Sequence, residues 1–310
     1  MTLKIKTLSQ NQLLEKFTSV GSNEHELFKQ NHEQFYIAKL QDFKKISKPP
    51  IPPTKSGTHT LILLTSGKLS MKIGSFSVNI GKNECIVISA GQVFSYDEHD
   101  IKKEVEGKGY ICGFNSDFLL QEIGSRGLLK SFDFLTVWGN PIIKLQNDSL
   151  KYLTQSLERI QDEYSTDGLL NKLILQSYTI ASLCEINKHY EPLFQNKNKR
   201  AVETTNKFID LLQNNITTKH HVSDYSDILN ISPNHLNKTI RLVTLKSPST
   251  WIRETLVNES KILLFQSDLT IREITFELGF DDPSYFSRLF KKQEGMTPIQ
   301  YRKMIDLSKR

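Results

Sequence analysis

Apolar positions along the chain follow two rhythms. Over residues 58–96 they come as short runs rich in β-branched and aliphatic side chains, at 61–65, 69–73, 76–80 and 84–89. Ser66-Gly67, Gly74-Ser75 and Gly81-Lys82-Asn83 supply turn chemistry between those runs. A further run at 110–114 follows Gly107-Lys108-Gly109, and residues 35–40 look extended. Strands this short and this closely spaced predict a small antiparallel β-barrel or jelly roll. Lys48-Pro49-Pro50 and Ile51-Pro52-Pro53 read as breaks, because proline has no N–H to donate and blocks a continuing helix.

Near residue 147 the period lengthens to three and four. Leu150, Leu153, Leu157, Ile160 and Tyr164 make one apolar stripe. After Asp167-Gly168 a second run carries Leu169, Leu170, Leu173, Ile174, Tyr178, Ile180, Ala181 and Leu183. This is a helical hairpin over about 147–188. It either packs on the barrel or joins two copies of the chain, and the pattern alone favours neither. The stretch EPLFQNKNKR (191–200) is polar and basic. It predicts a linker at 191–202 between a unit of residues 1–190 and a helical unit of residues 203–310.

The last third is internally duplicated. Ser232-Pro233, Ser247-Pro248, Asp282-Pro283 and Thr297-Pro298 each place a short polar side chain before a proline. Such a side chain accepts from an orphan helix N–H, and proline at the first helical position has no donor to leave unsatisfied. The first and third pairs are 50 residues apart, as are the second and fourth. Leu236 matches Phe286, Ile240 matches Phe290 and Trp251 matches Tyr301 at that step. Upstream the step is 49, pairing Val222 with Ile271, Ser226 with Thr275 and Leu229 with Leu278, so one residue is inserted in the second turn. Each unit reads as helix, tight turn, helix. The first has helices at 223–229 and 233–244 about Asn230-Ile231-Ser232; the second has helices at 271–278 and 283–293 about Gly279-Phe280-Asp281-Asp282. A helix at about 248–266 joins them.

A helix-turn-helix sets its second helix in the DNA major groove. With Leu236, Ile240 and Val243 turned inward, Asn234, His235, Asn237, Lys238 and Arg241 face out. With Phe286, Leu289 and Phe290 inward, Ser284, Tyr285, Ser287, Arg288, Lys291 and Lys292 face out. Arg and Lys suit guanine and phosphate, and Asn suits adenine. The joining helix is long enough to hold the units roughly one DNA turn (~34 Å) apart. Charge agrees in direction: residues 197–310 hold 18 Lys and Arg against 13 Asp and Glu, whereas residues 1–196 hold 22 against 21. That excess is small, and it is the duplicated motif that points to double-stranded DNA rather than to a plain helical bundle.

The segment FELGFDDPSYFSRLFKKQEGMTPIQYRK (276–303) resembles the C-terminal signature of the AraC/XylS family of bacterial transcription regulators. The stretches DILNISPNHLNKTIRLVT and SPSTWI are similar to that family's first helix-turn-helix. The resemblance covers roughly 203–304. It implies that both second helices enter successive stretches of major groove, the first reading bases and the second more often anchoring backbone. It departs from the family at Ser226 and Thr275, where alanine is usual, and at Leu245, which stands where Gly295 ends the second unit's helix. A different exit from the first recognition helix is therefore expected.

The N-terminal half is similar, more loosely, to the cupin-like effector domain of many family members. The resemblance implies an α+β chain with a cupin-like antiparallel barrel, a helical hairpin for dimerisation and an all-α DNA-binding domain. It further implies a small-molecule effector and, for an activator, RNA polymerase as a partner. His59 and Tyr96 are the candidates for lining an effector pocket. A metalloenzyme of the cupin type needs clustered histidines and a carboxylate, but His59 has no HxH partner and His25, His32 and His99 are scattered. No catalytic residue, metal or cofactor is expected. Three alternatives stay open: an effector-controlled regulator, a regulator whose barrel is only a dimerisation scaffold, and, disfavoured, an enzyme. Cys85, Cys112 and Cys184 are odd in number and widely spaced, which fits a reducing cytoplasm. No aliphatic run approaches the ~20 residues of a membrane span, and the opening MTLKIKTLSQNQLLEKF lacks the apolar core of a signal peptide.

Overall fold

The structure, a computed structural model, describes residues 34–47, 51–74, 76–96, 107–120, 129, 132–192 and 198–308. Lys48-Pro49-Pro50, His25, His32, His99 and residues 193–197 of the expected linker lie outside the described residues. The chain divides into two compact units between Pro192 and Leu193.

The first unit contains β1 (Phe35–Lys39), α1 (Leu40–Ile46), β2 (Ile51–Lys55), β3 (His59–Ser66), β4 (Leu69–Ile73), β5 (Phe76–Ile80), β6 (Glu84–Ile88), β7 (Val93–Tyr96), β8 (Lys108–Phe114), α2 (Ser116–Leu120), β9 (Ile142–Lys144), α3 (Asn147–Asp167) and α4 (Lys172–Asn187). Every strand pairing is antiparallel. One sheet has the order β1-β8-β3-β6-β9 and the other β2-β7-β4-β5. Apart from the added β9, that is the strand order of an eight-stranded jelly roll, the form taken by cupins.

Strand β3 shows why the hairpin is needed. Its alternate residues Ile62 and Leu64 join a core with Tyr36, Met71, Ile73, Val78 and Ile80 between the two sheets. Leu61 and Leu63 turn the other way, into a core with Leu153, Leu157, Ile160, Leu175 and Leu183 of α3 and α4. The five-stranded sheet is a middle layer with both faces covered, which is why β3 reads as one continuous apolar run.

Three local expectations are corrected. Ile51-Pro52-Pro53 is not a break but the start of β2. Among the described residues this strand lies at a sheet edge and pairs with β7 alone, and its register shifts between Ile51 and Thr54. An edge with an irregular ladder is where missing proline donors cost least. The run expected at 110–114 begins earlier, at Lys108, so Gly109 lies within β8: at φ 155° it passes so close to β3 that a Cβ would stand 1.8 Å from the Leu63 carbonyl oxygen. Leu40 starts helix α1 instead of ending a strand. Helix α2 and strand β9 were not foreseen, being too short to show a period.

The second unit is all helical: α5 (Lys199–Asn215), α6 (Val222–Ile228), α7 (Pro233–Thr244), α8 (Pro248–Gln266), α9 (Ile271–Glu277), α10 (Pro283–Glu294) and α11 (Pro298–Ser308). Helix α5 begins inside the expected linker of 191–202. The Asn198 side chain accepts from the Ala201 N–H at 3.2 Å, and Ala201 is buried, so the chain is already packed there.

Candidate nucleic-acid interface

The duplication is written in the backbone hydrogen bonds. Leu229, Asn230 and Ile231 donate to Tyr225, Asp227 and Ser226; 49 residues on, Leu278, Gly279 and Phe280 donate to Ile274, Phe276 and Thr275. Asn230 and Gly279 both take left-handed backbone, at φ 53° and 79°. From the caps onward the step is 50, since Leu236 donates to Ser232 and Phe286 to Asp282. The inserted residue is thereby located after Phe280, at Asp281.

Helices α7 and α10 are the second helices of the two units. The Ser232 hydroxyl accepts from the His235 N–H at 3.2 Å, and the Asp282 carboxylate accepts from Ser284 and Tyr285 at 2.7 and 3.1 Å. Both helices end alike: Leu245 and Gly295 are left-handed, at φ 55° and 76°, and donate to Arg241 and Lys291 at 2.9 Å. The expected difference in exit at Leu245 is overturned, because the leucine accepts the strained conformation that glycine takes freely. Ser226 and Thr275 fit their alanine-sized slots fully buried; their hydroxyls bond back to the Ser223 carbonyl at 3.0 Å and the Ile271 carbonyl at 2.8 Å.

The outward faces of α7 and α10 superpose position by position. Asn234, His235, Lys238 and Arg241 are exposed, as are their counterparts Ser284, Tyr285, Arg288 and Lys291; Asn237 and Ser287 are half-buried in both. Lys292 is exposed opposite Leu242, which is 53% exposed. Leu242 is the position on this face that residue-type reasoning passed over, although aligning the repeats would have found it. Arg288 lies 3.9 Å from Asp282 with both side chains mostly in solvent, a pair too exposed to tie the guanidinium down.

Helix α8 carries both units. On the first side Lys246 pairs with Glu254 at 2.7 Å, and the Trp251 indole donates to the Thr244 hydroxyl at 3.0 Å. On the second side Lys261 pairs with Glu294 at 2.5 Å. Arg302 of α11 donates to the Leu264 carbonyl at 3.3 Å and to the Leu269 carbonyl, closing the C-terminal end of α8. The helix has 19 residues, a length of about 28 Å at 1.5 Å per residue.

In the first unit the structure does not bring His59 and Tyr96 together. His59 shares the side of β3 that faces the hairpin. Its ring is 5.5 Å from Phe114, and its Nδ1 accepts from the Ala90 N–H at 3.1 Å. Burial lowers its pKa to about 4. Tyr96 packs on the core between the sheets. Among the described residues no group of three or more His, Cys, Asp or Glu is arranged to hold a metal ion, and no helix is long and apolar enough to cross a membrane.

Residues 225–304 match the Helix-turn-helix domain family. The chain is 26% identical to an uncharacterized HTH-type transcriptional regulator, YisR of Bacillus subtilis, over 79% of this chain and 85% of that one. It is 22% identical to the raffinose operon transcriptional regulatory protein RafR of Pediococcus pentosaceus, over 71% of this chain and 78% of that one. Among solved structures, ToxT of Vibrio cholerae aligns with a TM-score of 0.44 at 14% identity, over 88% of this chain and 96% of that one. With two capped, evenly exposed second helices on one connecting helix, the chain is a helix-turn-helix DNA-binding transcriptional regulator, similar over most of its length to regulators such as YisR and RafR.

Proposed function

We propose that α7 and α10 read two neighbouring DNA half-sites as one unit, and that this reading is controlled from the jelly-roll domain. The observation that carries the DNA half is the shared exposure pattern of α7 and α10. Asn234, His235, Asn237, Lys238 and Arg241 contact the first half-site. Ser284, Tyr285, Ser287, Arg288, Lys291 and Lys292 contact the second. Residues 203–310 are the DNA-binding domain, with α5 extending it back to Lys199. Base edges are read by the residues near each N-terminus, and the lysines and arginines toward each C-terminus neutralise phosphate. A chromosomal partner puts the protein in the cytoplasm, and no catalytic role or cofactor is assigned. Activation, and with it contact with RNA polymerase, would follow from where the operator lies.

Two copies of the chain meet through α4. Between Lys172 and Glu185 this helix has no charged residue, yet Leu173, Tyr178, Ala181 and Cys184 face solvent. An uncharged exposed stripe of that kind marks an interface. The opposite side of the hairpin packs on the sheet, so the hairpin serves both roles. A small effector enters the space between the two sheets, an apolar core that contains the buried Tyr36–Thr60 hydroxyl pair at 3.1 Å.

The test is selection of duplexes from a random DNA pool by the purified full chain at near-physiological salt. Two short motifs one helical turn apart are expected to be enriched. A chain that enriches nothing, with or without the first unit, sinks the reading. A thermal-shift screen addresses the effector, since a ligand at 100 times its Kd adds about 2.7 kcal/mol.

A further inference from the structure

The two helix-turn-helix units share α8, and a second contact joins them. The segment leading into α6 lies against the turn that leads into α10. A Cβ on Gly279 would stand 2.1 Å from the Thr217 carbonyl oxygen and 3.3 Å from Cε1 of His220. Only a residue without a side chain lets the turn approach that closely, and its φ of 79° also favours glycine. The His220 imidazole then lies over the Phe280 ring, centroids 4.6 Å apart and planes at 31°. Phe280 in turn meets Tyr285 and Phe286 of α10, each at 5.8 Å. The aromatic series therefore runs from the first unit's leading loop to Tyr285, which is 52% exposed on the outward face of α10.

The first helix-turn-helix has no equivalent of this ring pair. Forty-nine residues on, His220 corresponds to Leu269, and Phe280 corresponds to Ile231. The one length difference between the repeats, at Asp281, immediately follows the clamped Phe280. The inserted residue and the ring stack thus fall at the same joint.

We infer that His220 is a positioning residue: stacked on Phe280 over Gly279, it fixes the separation and twist of α10 relative to α7, and so the half-site spacing that the protein accepts. Helix α8 connects the units along one seam. The His220 contact is a second point of attachment, and two points define an orientation. Tyr225 ties down the same loop, its hydroxyl donating to the Lys219 carbonyl at 2.7 Å.

The first experiment needs no DNA. Spin labels at Leu242→Cys and Lys292→Cys, equivalent exposed positions in the two units, are introduced in the full chain with Cys184→Ser; Cys85 and Cys112 are buried. Double electron–electron resonance should give one narrow distance distribution. His220→Ala should widen it, and His220→Phe, which keeps a ring over Phe280, should restore it. An unchanged distribution in His220→Ala overturns the inference. Should His220→Ala lose its helical circular dichroism, Phe280→Leu decides: it keeps an apolar plug without the stack, and a narrow distribution there overturns the inference equally.

The consequence for recognition rests on the tandem DNA reading and is measured separately, on duplexes enriched by the wild-type chain. Inserting one base pair between half-sites should cost wild type roughly 100-fold in affinity, because the two modules can no longer engage together. His220→Ala should lose less than about tenfold. Equal losses in the two proteins reject the positioning role. A wild type that binds no duplex would count against the DNA reading alone, leaving the label distances to decide the clamp.

Discussion

Leu245 carries a conformational cost that its counterpart Gly295 escapes. Both end their helices left-handed, and an L-residue there costs about 1–2 kcal/mol. The Leu245 side chain is 67% exposed, so little packing offsets the strain. Leu245→Gly is expected to raise the unfolding free energy by about 1 kcal/mol, after part of the gain is lost to the greater freedom of glycine in the unfolded chain. Urea unfolding of the full chain followed by helical circular dichroism checks it, and a lower midpoint would contradict it. His59 sets a pH dependence in the first unit. Its folded pKa, about 4, lies below the ordinary 6.5, so its stabilising effect is complete above pH 6.5 and is lost as pH falls from there toward 4. The full loss is of order 3 kcal/mol. His59→Asn keeps an acceptor for the Ala90 N–H without the charge. Its unfolding midpoint should fall less between pH 7 and pH 4.5 than that of wild type; parallel profiles would reject the assignment.

At the scale of elements, the helix ends and the repeat were legible because their signals are local. A cap needs one side chain and one N–H within three residues, and the sequence Asp282-Pro283-Ser284 contains the whole device. Asp282 and Arg288 should therefore separate in their effects. Asp282→Ala removes the acceptor of two N–H groups and is expected to cost about 1 kcal/mol of stability without weakening DNA binding. Arg288→Ala should weaken DNA binding and leave stability within about 0.5 kcal/mol. Thermal melts and a titration at fixed salt read both variants, and matching effects would mean that the exposed pair matters more than its 3.9 Å separation suggests. Strand β2 was not legible for the complementary reason. Prolines forbid a central strand but are tolerated at an edge, and whether a strand is an edge depends on partners far away in sequence.

Over the whole molecule, DNA affinity should depend steeply on salt, since each phosphate neutralised contributes about −0.9 to the slope of log K against log[salt]. Lys238→Ala and Lys291→Ala should each weaken binding to all duplexes alike and flatten that slope by about 1. An unchanged slope would remove the residue from the interface. In sedimentation, Leu173→Asp should shift the full chain toward monomer, because it places a charge in the uncharged stripe of α4. A dimer that persists would move the interface elsewhere.

By itself the amino-acid sequence determined the helix periods, the caps, the duplicated unit and the outward residues of α7 and α10. All of these follow from contacts within a few residues or from comparing one stretch with another. It also contained the strand rhythm of the jelly roll. Tertiary structure alone decided which face of each strand meets which core, and so separated His59 from Tyr96: neighbours one position apart on a strand point to opposite layers, and nothing in the sequence names the layers. It alone turned a proline-rich break into edge strand β2 and let Leu245 stand where glycine was expected. The contact of His220 with Phe280 also belongs to it. Those residues are 60 positions apart and carry no motif, and only the packing of one repeat against the other brings their rings together.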